Sequence, residues 1–220
     1  MARAKSGLAP FEPVPGLSAV HEARGKTLGA FAVRLRAGGV CVFSPVAGLT
    51  DAVKESLLAL GDVTVLFAPN HYHNMAMREY AAAFPNARLL APAAAILRLK
   101  KVTGLSFADM EALAVDLLSG IALLEPEGLK TGETWLRVRE KKTTAWIVVD
   151  AFCGPPSGAG GPGLLKTFPK YGVGDRDRYV AWAERQIRRD KPTSLLPCHG
   201  RSVHDAALPE KLLDLVANRL

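Results

Sequence analysis

The stretch VTVLFAPNHYHNMAMREYAAAFPNARLLAP (63–92) decides how the rest of the chain is read. It opens on a continuous apolar, β-branched run, 63–69, of the kind that forms a strand buried on both faces. The run leads straight to His71 and His73, in a chain with five histidines. A helix is expected over 74–84, with Asn74 as its N-cap and Pro85 as its stop. ARLLAP then supplies another short strand. If the segment through the histidines is extended, alternate side chains point the same way and two imidazoles can face one ion.

Two further apolar strands end on residues that ligate metals. TTAWIVVD (143–150) ends on Asp150, and TSLLPCHG (193–200) reaches Cys198 and His199. In layered α/β folds, sites collect beyond strand ends, where loops converge on a rigid sheet. Imidazole with carboxylate suits zinc, and also iron or manganese. Each feature has a bland reading when taken alone. An HxH pair is short, a strand-end Asp often caps a turn, and Cys198 is most simply a small buried residue. The repetition at three strand ends is what points to a metal centre.

Around this frame, strand and helix patterns alternate, which indicates an α/β protein. AFAVRLRAGGVCVF (30–43) reads as a hairpin turning at Ala37-Gly38-Gly39. LTDAVKESLLALG (49–61) reads as a helix with Thr50 as N-cap and Gly61 as its stop. SFADMEALAVDLLSG (106–120) reads as a helix with Ser106 and Asp109 at capping-box spacing. IALLEP and TWLRVRE are strands, and Lys141-Lys142 lies in a turn. AFCGPPSGAGGPG (151–163) is a Gly/Pro-rich loop, the best candidate for a mobile flap. RDRYVAWAERQIRRD (176–190) is an amphipathic helix, and PEKLLDLVANRL closes the chain with another. Trp135, Trp146 and Trp182 read as core packing. No linker divides the chain, so a single domain over 1–220 is expected, with 1–16 as an irregular lead-in.

Composition excludes several classes. Hydrophobic residues make up 49% and charged residues 22%, an ordinary globular balance. No apolar run approaches the roughly 20 residues of a membrane helix. Three cysteines, Cys41, Cys153 and Cys198, lie far apart with no CxxC pair, which fits a reducing compartment, and a cytoplasmic setting is expected. The net charge of +7 keeps nucleic acid open as a partner, but the basic residues are spread along solvated faces. Gly158, Gly160 and Gly163 fit a GxGxxG pattern, yet Pro169 and Gly172 break the helix that a dinucleotide site needs. Ser44 and Ser202 have no His and acid at motif spacing, and no G-x-S-x-G elbow exists.

The stretch 63–92 resembles the metallo-β-lactamase superfamily, in which a strand leads into an HxHxDH motif, a helix and a short strand. EGLKTGE (127–133) resembles the family's GHTPGE loop, TAWIVVDAF (144–152) the strand that delivers a bridging Asp, and SLLPCHG (194–200) the strand that carries the last His. The likeness covers roughly residues 14–205. It implies an αββα sandwich, with two mixed β-sheets inside, helices outside, and a site along one edge. It implies His71, His73, Asp150 and His199 as metal ligands, with Asp150 and His199 as the catalytic candidates.

The departures matter. Met75 and Ala76 stand where the family has Asp and His, Leu129 where it has the middle His, and SPV (44–46) where it has DTG. A dinuclear site is therefore not expected. The resemblance implies a metal-dependent hydrolase with one divalent ion, zinc ahead of iron or manganese, acting on a small-molecule ester, thioester, lactone or phosphoester. The alternative is an inactive binding or interaction module that kept the fold but lost the dinuclear metal site. A nucleic-acid binder or nuclease of the same fold is a weaker alternative. Asn74, Glu127 and Glu133 are polar residues that could fill vacated roles, and each reads more simply as structural. Substrate and oligomeric state are not legible at this level.

Overall fold

Val63–Phe67 forms a strand in the middle of a mixed sheet, buried along nearly its whole length. The computed structural model describes residues 7–130 and 132–220, in two compact units, Met1–Leu118 and Ser119–Leu220.

The first unit runs β1 (Glu12–Pro13), β2 (Val20–Arg24), β3 (Gly29–Arg34), β4 (Val40–Phe43), α1 (Asp51–Leu58), β5 (Val63–Phe67), α2 (Met77–Ala83), β6 (Arg88–Ala91), α3 (Ala93–Thr103), β7 (Ala108–Asp109) and α4 (Glu111–Ala114). Its strands lie side by side in chain order. β1 to β4 pair antiparallel, and β4 to β7 pair parallel through helical crossovers. Val53 and Leu57 of α1, Met77 and Tyr80 of α2, and Ala95 and Leu99 of α3 share one apolar cluster with Ala30, Val42 and Leu66. The alternate strand residues Phe31, Cys41, Phe43, Val65 and Phe67 are equally buried, which explains the continuous apolar runs.

The hairpin at 30–43 forms as expected, with Gly38 at φ +85° in its turn. Thr50 caps α1 by accepting from the Val53 N–H. The helix expected over 106–120 does not form. Gly104, at φ +71°, ends α3, and Ala108–Asp109 instead pairs with Leu90–Ala91. Asp109 accepts from the Glu111 N–H, so only the short helix Glu111–Ala114 follows, and Ser106 and Asp109 make no capping box. The lead-in is also more ordered than expected where it is described, while 1–6 lie outside the described residues. Glu12–Pro13 pairs with β2, and Leu8, Phe11 and Val14 are buried.

The second unit runs β8 (Ile121–Leu124), β9 (Trp135–Glu140), β10 (Thr143–Val148), α5 (Phe168–Tyr171), α6 (Arg176–Asp190), β11 (Ser194–Pro197), β12 (Val203–His204) and α7 (Leu208–Arg219). The sheet order is β12-β11-β10-β9-β8, and only the β10–β11 pair is parallel. α6 starts where Asp175 accepts from the Arg178 N–H. It buries Tyr179, Trp182, Ala183 and Ile187. Trp135 packs against Trp146, Phe152 and Trp182, with ring centroids 5.3–5.6 Å apart.

Asp190 closes α6 as a fully buried carboxylate. It accepts from the Trp146 indole at 3.0 Å, the Gln186 amide at 2.6 Å and Arg139 at 2.8 Å, so the buried charge is fully engaged. The loop 151–163 is stitched at its base. Cys153 and Gly163 exchange two backbone hydrogen bonds of 2.8 Å, and Gly154 donates to the His199 carbonyl.

Candidate metal centre

In the second unit, register brings two of the expected ligands together. β10 and β11 are parallel, with Val148 opposite Pro197. Asp150 and His199 each follow two residues later, so equal offsets from paired positions leave them side by side. Asp150 Oδ1 and His199 Nε2 are 2.9 Å apart, and both side chains are half-buried. Cys198 between them is fully buried, a packing residue as expected. Gly200 makes the close turn possible. Its φ is +82°, and a Cβ there would lie 2.2 Å from the Gly154 carbonyl oxygen.

Behind this pair stands Glu133, only 1% exposed. Its carboxylate accepts from the Trp135 indole N–H, from the Asp150 N–H at 3.2 Å and from the Ala151 N–H at 3.3 Å. Burial, and then the neighbouring Asp150 charge, push the Glu133 carboxyl up to about 8. Glu127 has a different role. It pairs with Arg178 and Arg185 across an exposed face. Leu129 bridges to Val173 through the backbone.

In the first unit, the histidine pair is not extended. Asn70 is fully buried, and its Oδ1 accepts from the Tyr72 N–H at 2.8 Å and the His73 N–H at 3.2 Å. This side-chain turn folds the segment back on itself, and successive turns continue to Ala76. α2 therefore begins at Met77, and Asn74 is not its N-cap. Ala76 holds that position without a side-chain bond, while the Asn74 amide donates to the His71 and Tyr72 carbonyls. The argument that His71 and His73 face one way as alternate strand residues is corrected accordingly.

Each imidazole has its own setting. The His71 ring packs on Tyr72, with centroids 4.1 Å apart. His73 Nδ1 lies 2.7 Å from Ser44 Oγ. An Nδ1–H donated to this serine leaves Nε2 as the lone pair that a metal needs. Ser44 is 1% exposed and sits at φ +55°, a strained conformation for a non-glycine residue. The sequence reading missed this contact because nothing in the local pattern links residues 44 and 73. The signal lies in topology. β4 and β5 pair in parallel with Phe43 opposite Phe67, so both chains leave the sheet at the same end.

No family model matches the chain, and no curated protein matches its sequence. Solved structures match over nearly its whole length. DIM-1 metallo-β-lactamase exposed to ceftazidime is 12% identical with a TM-score of 0.67, covering 97% of this chain and 98% of that one. The fold is that of the metallo-β-lactamases. FIM-1 from Pseudomonas aeruginosa, in its mono-zinc form, matches at 12% identity and a TM-score of 0.64, covering 98% of both chains. A putative diflavin flavoprotein fragment from Nostoc sp. PCC 7120 matches at 12% identity and a TM-score of 0.63, covering 94% of this chain and 96% of that one.

The α/β sandwich expected from the stretch 63–92 is thus met in the metallo-β-lactamase fold. The positions where the resemblance implies an Asp and two His carry Met75, Ala76 and Leu129. Met75 is 89% exposed, and Ala76 is packed in the apolar cluster of the first unit. Alanine has no donor atom, and a methionine thioether is a soft ligand that does not replace a carboxylate or imidazole on zinc.

Proposed function

We propose that the protein is a metal-dependent hydrolase with a single divalent ion, for which Asp150 and His199 supply two ligands. The observation that carries this reading is the meeting of Asp150 Oδ1 and His199 Nε2 at 2.9 Å, beyond two parallel strands. The donor set fits the group. An imidazole beside a carboxylate suits zinc, and a site with three protein ligands keeps a position for water or substrate. Iron or manganese are the alternatives. His71 and His73 are the further ligands that the resemblance implies.

When bound, the ion supplies Lewis acidity toward a carbonyl or phosphoryl oxygen and brings the pKa of water toward 7. The chain's own residues do the rest. Ser44 orients the His73 ring through Nδ1, and Asp150 offers a second carboxylate oxygen that can take a proton. The substrate class proposed is a small ester, thioester, lactone or phosphoester. A cytoplasmic setting fits three cysteines that lie far apart in sequence with no CxxC pair. Among the described residues, no helix is long and apolar enough to cross a membrane.

Metal analysis of protein purified without chelator tests the reading. About one equivalent of zinc, iron or manganese is expected, with turnover of at least one member of a panel of those four substrate types. Absence of metal, with no uptake on reconstitution, would sink it. The burial of Ala76 and exposure of Met75 favour a second reading, an inactive binding module. Stoichiometric metal without turnover across the panel would support that module. Nucleic-acid binding rests on the +7 charge alone, and no binding at low salt would remove it.

A further inference from the structure

We propose that Glu133 is a positioning residue, whose buried carboxylate clamps the backbone at Asp150 and Ala151 and so sets the Asp150 carboxylate against His199. The inference rests on the metal reading above and gives the last residue of EGLKTGE (127–133) a role at the site.

The need for a clamp follows from where β10 ends. The strand runs to Val148, and the ladder to β9 does not extend to residues 150 and 151. Ala151 is fully buried, so its N–H must find an acceptor inside the protein. Glu133 provides one, accepting from two successive N–H groups, Asp150 and Ala151, and from the Trp135 indole. Its neighbours are otherwise aromatic. Trp135 and Phe152 pack together, and a Leu or Met would suit such a place better than a carboxylate. A carboxyl group has acceptor capacity for all three donors in either ionisation state, because both of its oxygens keep lone pairs. Glutamine, of the same size, has one acceptor oxygen and an NH2 group that faces an N–H.

The position of these bonds links them to chemistry. They grip the backbone N–H of Asp150 itself, one residue's span from the carboxylate that meets His199 at 2.9 Å. Loosening that backbone moves a proposed ligand relative to its partner, while the five-stranded sheet stays paired.

The test uses Glu133→Gln, with Trp135→Phe as the control that disturbs the same aromatic core without removing an acceptor from Asp150. In metal-free protein, amide hydrogen exchange at Asp150 and Ala151 should speed up at least tenfold in Glu133→Gln and stay slow in Trp135→Phe. Zinc affinity, measured by chelator competition, should fall about 10–100-fold in Glu133→Gln, with a changed cobalt(II) absorption spectrum. Trp135→Phe should keep both. Unchanged exchange, an affinity within twofold of wild type, or equal losses in both variants would overturn the proposal. A wild-type chain that takes up no metal sinks the metal reading instead, and the exchange measurement still decides whether the clamp exists.

Discussion

The two histidine-bearing strand ends are built on opposite principles. In the second unit, His199 and Asp150 are placed by sheet register, each two residues beyond a paired position of β10 and β11. In the first unit, His71 and His73 are placed by side chains. Asn70 folds the turn, and strained Ser44 holds the His73 ring. Backbone ladders fix a position through many shared bonds, whereas a side-chain turn hangs on one or two. The difference teaches where the site should break easily and where it should not.

The largest effect is expected at the register-built end. Asp150→Ala and His199→Ala should each weaken zinc binding by more than about 100-fold, beyond what loss of a residue behind a ligand brings. Neither should unfold the protein, because both side chains are half-buried and the ladder that positions them stays intact. Chelator competition and thermal melts check the two halves of this expectation. Loss of folding in either variant would mean that the pair holds the sheet together rather than the reverse.

Next come the two histidines of the turn. His73→Ala should weaken zinc binding by about tenfold more than His71→Ala, a difference of about 1.4 kcal/mol. His73 has its ring nitrogen held by Ser44, while the His71 ring leans on half-exposed Tyr72. Equal losses would make His71 a full ligand.

These two regions also differ in how far the sequence exposed them. β5 was legible because it is buried on both faces, and α6 because its apolar stripe runs from a capping Asp175 to Ile187. α3 was missed. Its segment AAAILRLKKVT carries Arg98, Lys100 and Lys101 close together, and Leu97, 84% exposed, spoils the apolar stripe formed by Ala95 and Leu99. Asp150 and His199 were legible because each follows an apolar strand directly. The shape of the HxH segment was not, since it depends on which way one Asn side chain points. Ser44 and Glu133 were illegible as partners of the site because their contacts are with residues 29 and 17 positions away.

Ser44 gives a smaller and sharper test of the side-chain-built end. Ser44→Ala loses the bond to His73 and keeps the strained φ, whereas Ser44→Gly loses both. Both should weaken zinc binding by about tenfold, at the low end for a residue behind a ligand. Ser44→Gly should be the more stable of the two, by about 1 kcal/mol in urea unfolding, because glycine adopts positive φ freely. Equal stability would mean that the serine's conformation is not strained.

The smallest effect is on pH dependence, where the two units should pull in opposite directions. The first unit buries His21, and burial, then the Arg34 charge, hold its imidazole below the ordinary histidine range. The folded state therefore binds fewer protons than the unfolded state, and stability is lost as pH falls through about 6.5. The second unit buries Glu133, held up at about 8 against an ordinary 4.5. There the folded state binds more protons, and stability is lost as pH rises between those values. In metal-free wild-type protein the two slopes oppose each other below about pH 6.5. Glu133→Gln removes the falling slope, so its urea midpoint should rise with pH up to about 6.5 and then level off. The midpoint of His21→Gln should instead fall as pH rises to about 8. If both variants keep the wild-type profile, neither buried group is coupled to folding, and the contrast between the two ends is one of geometry alone.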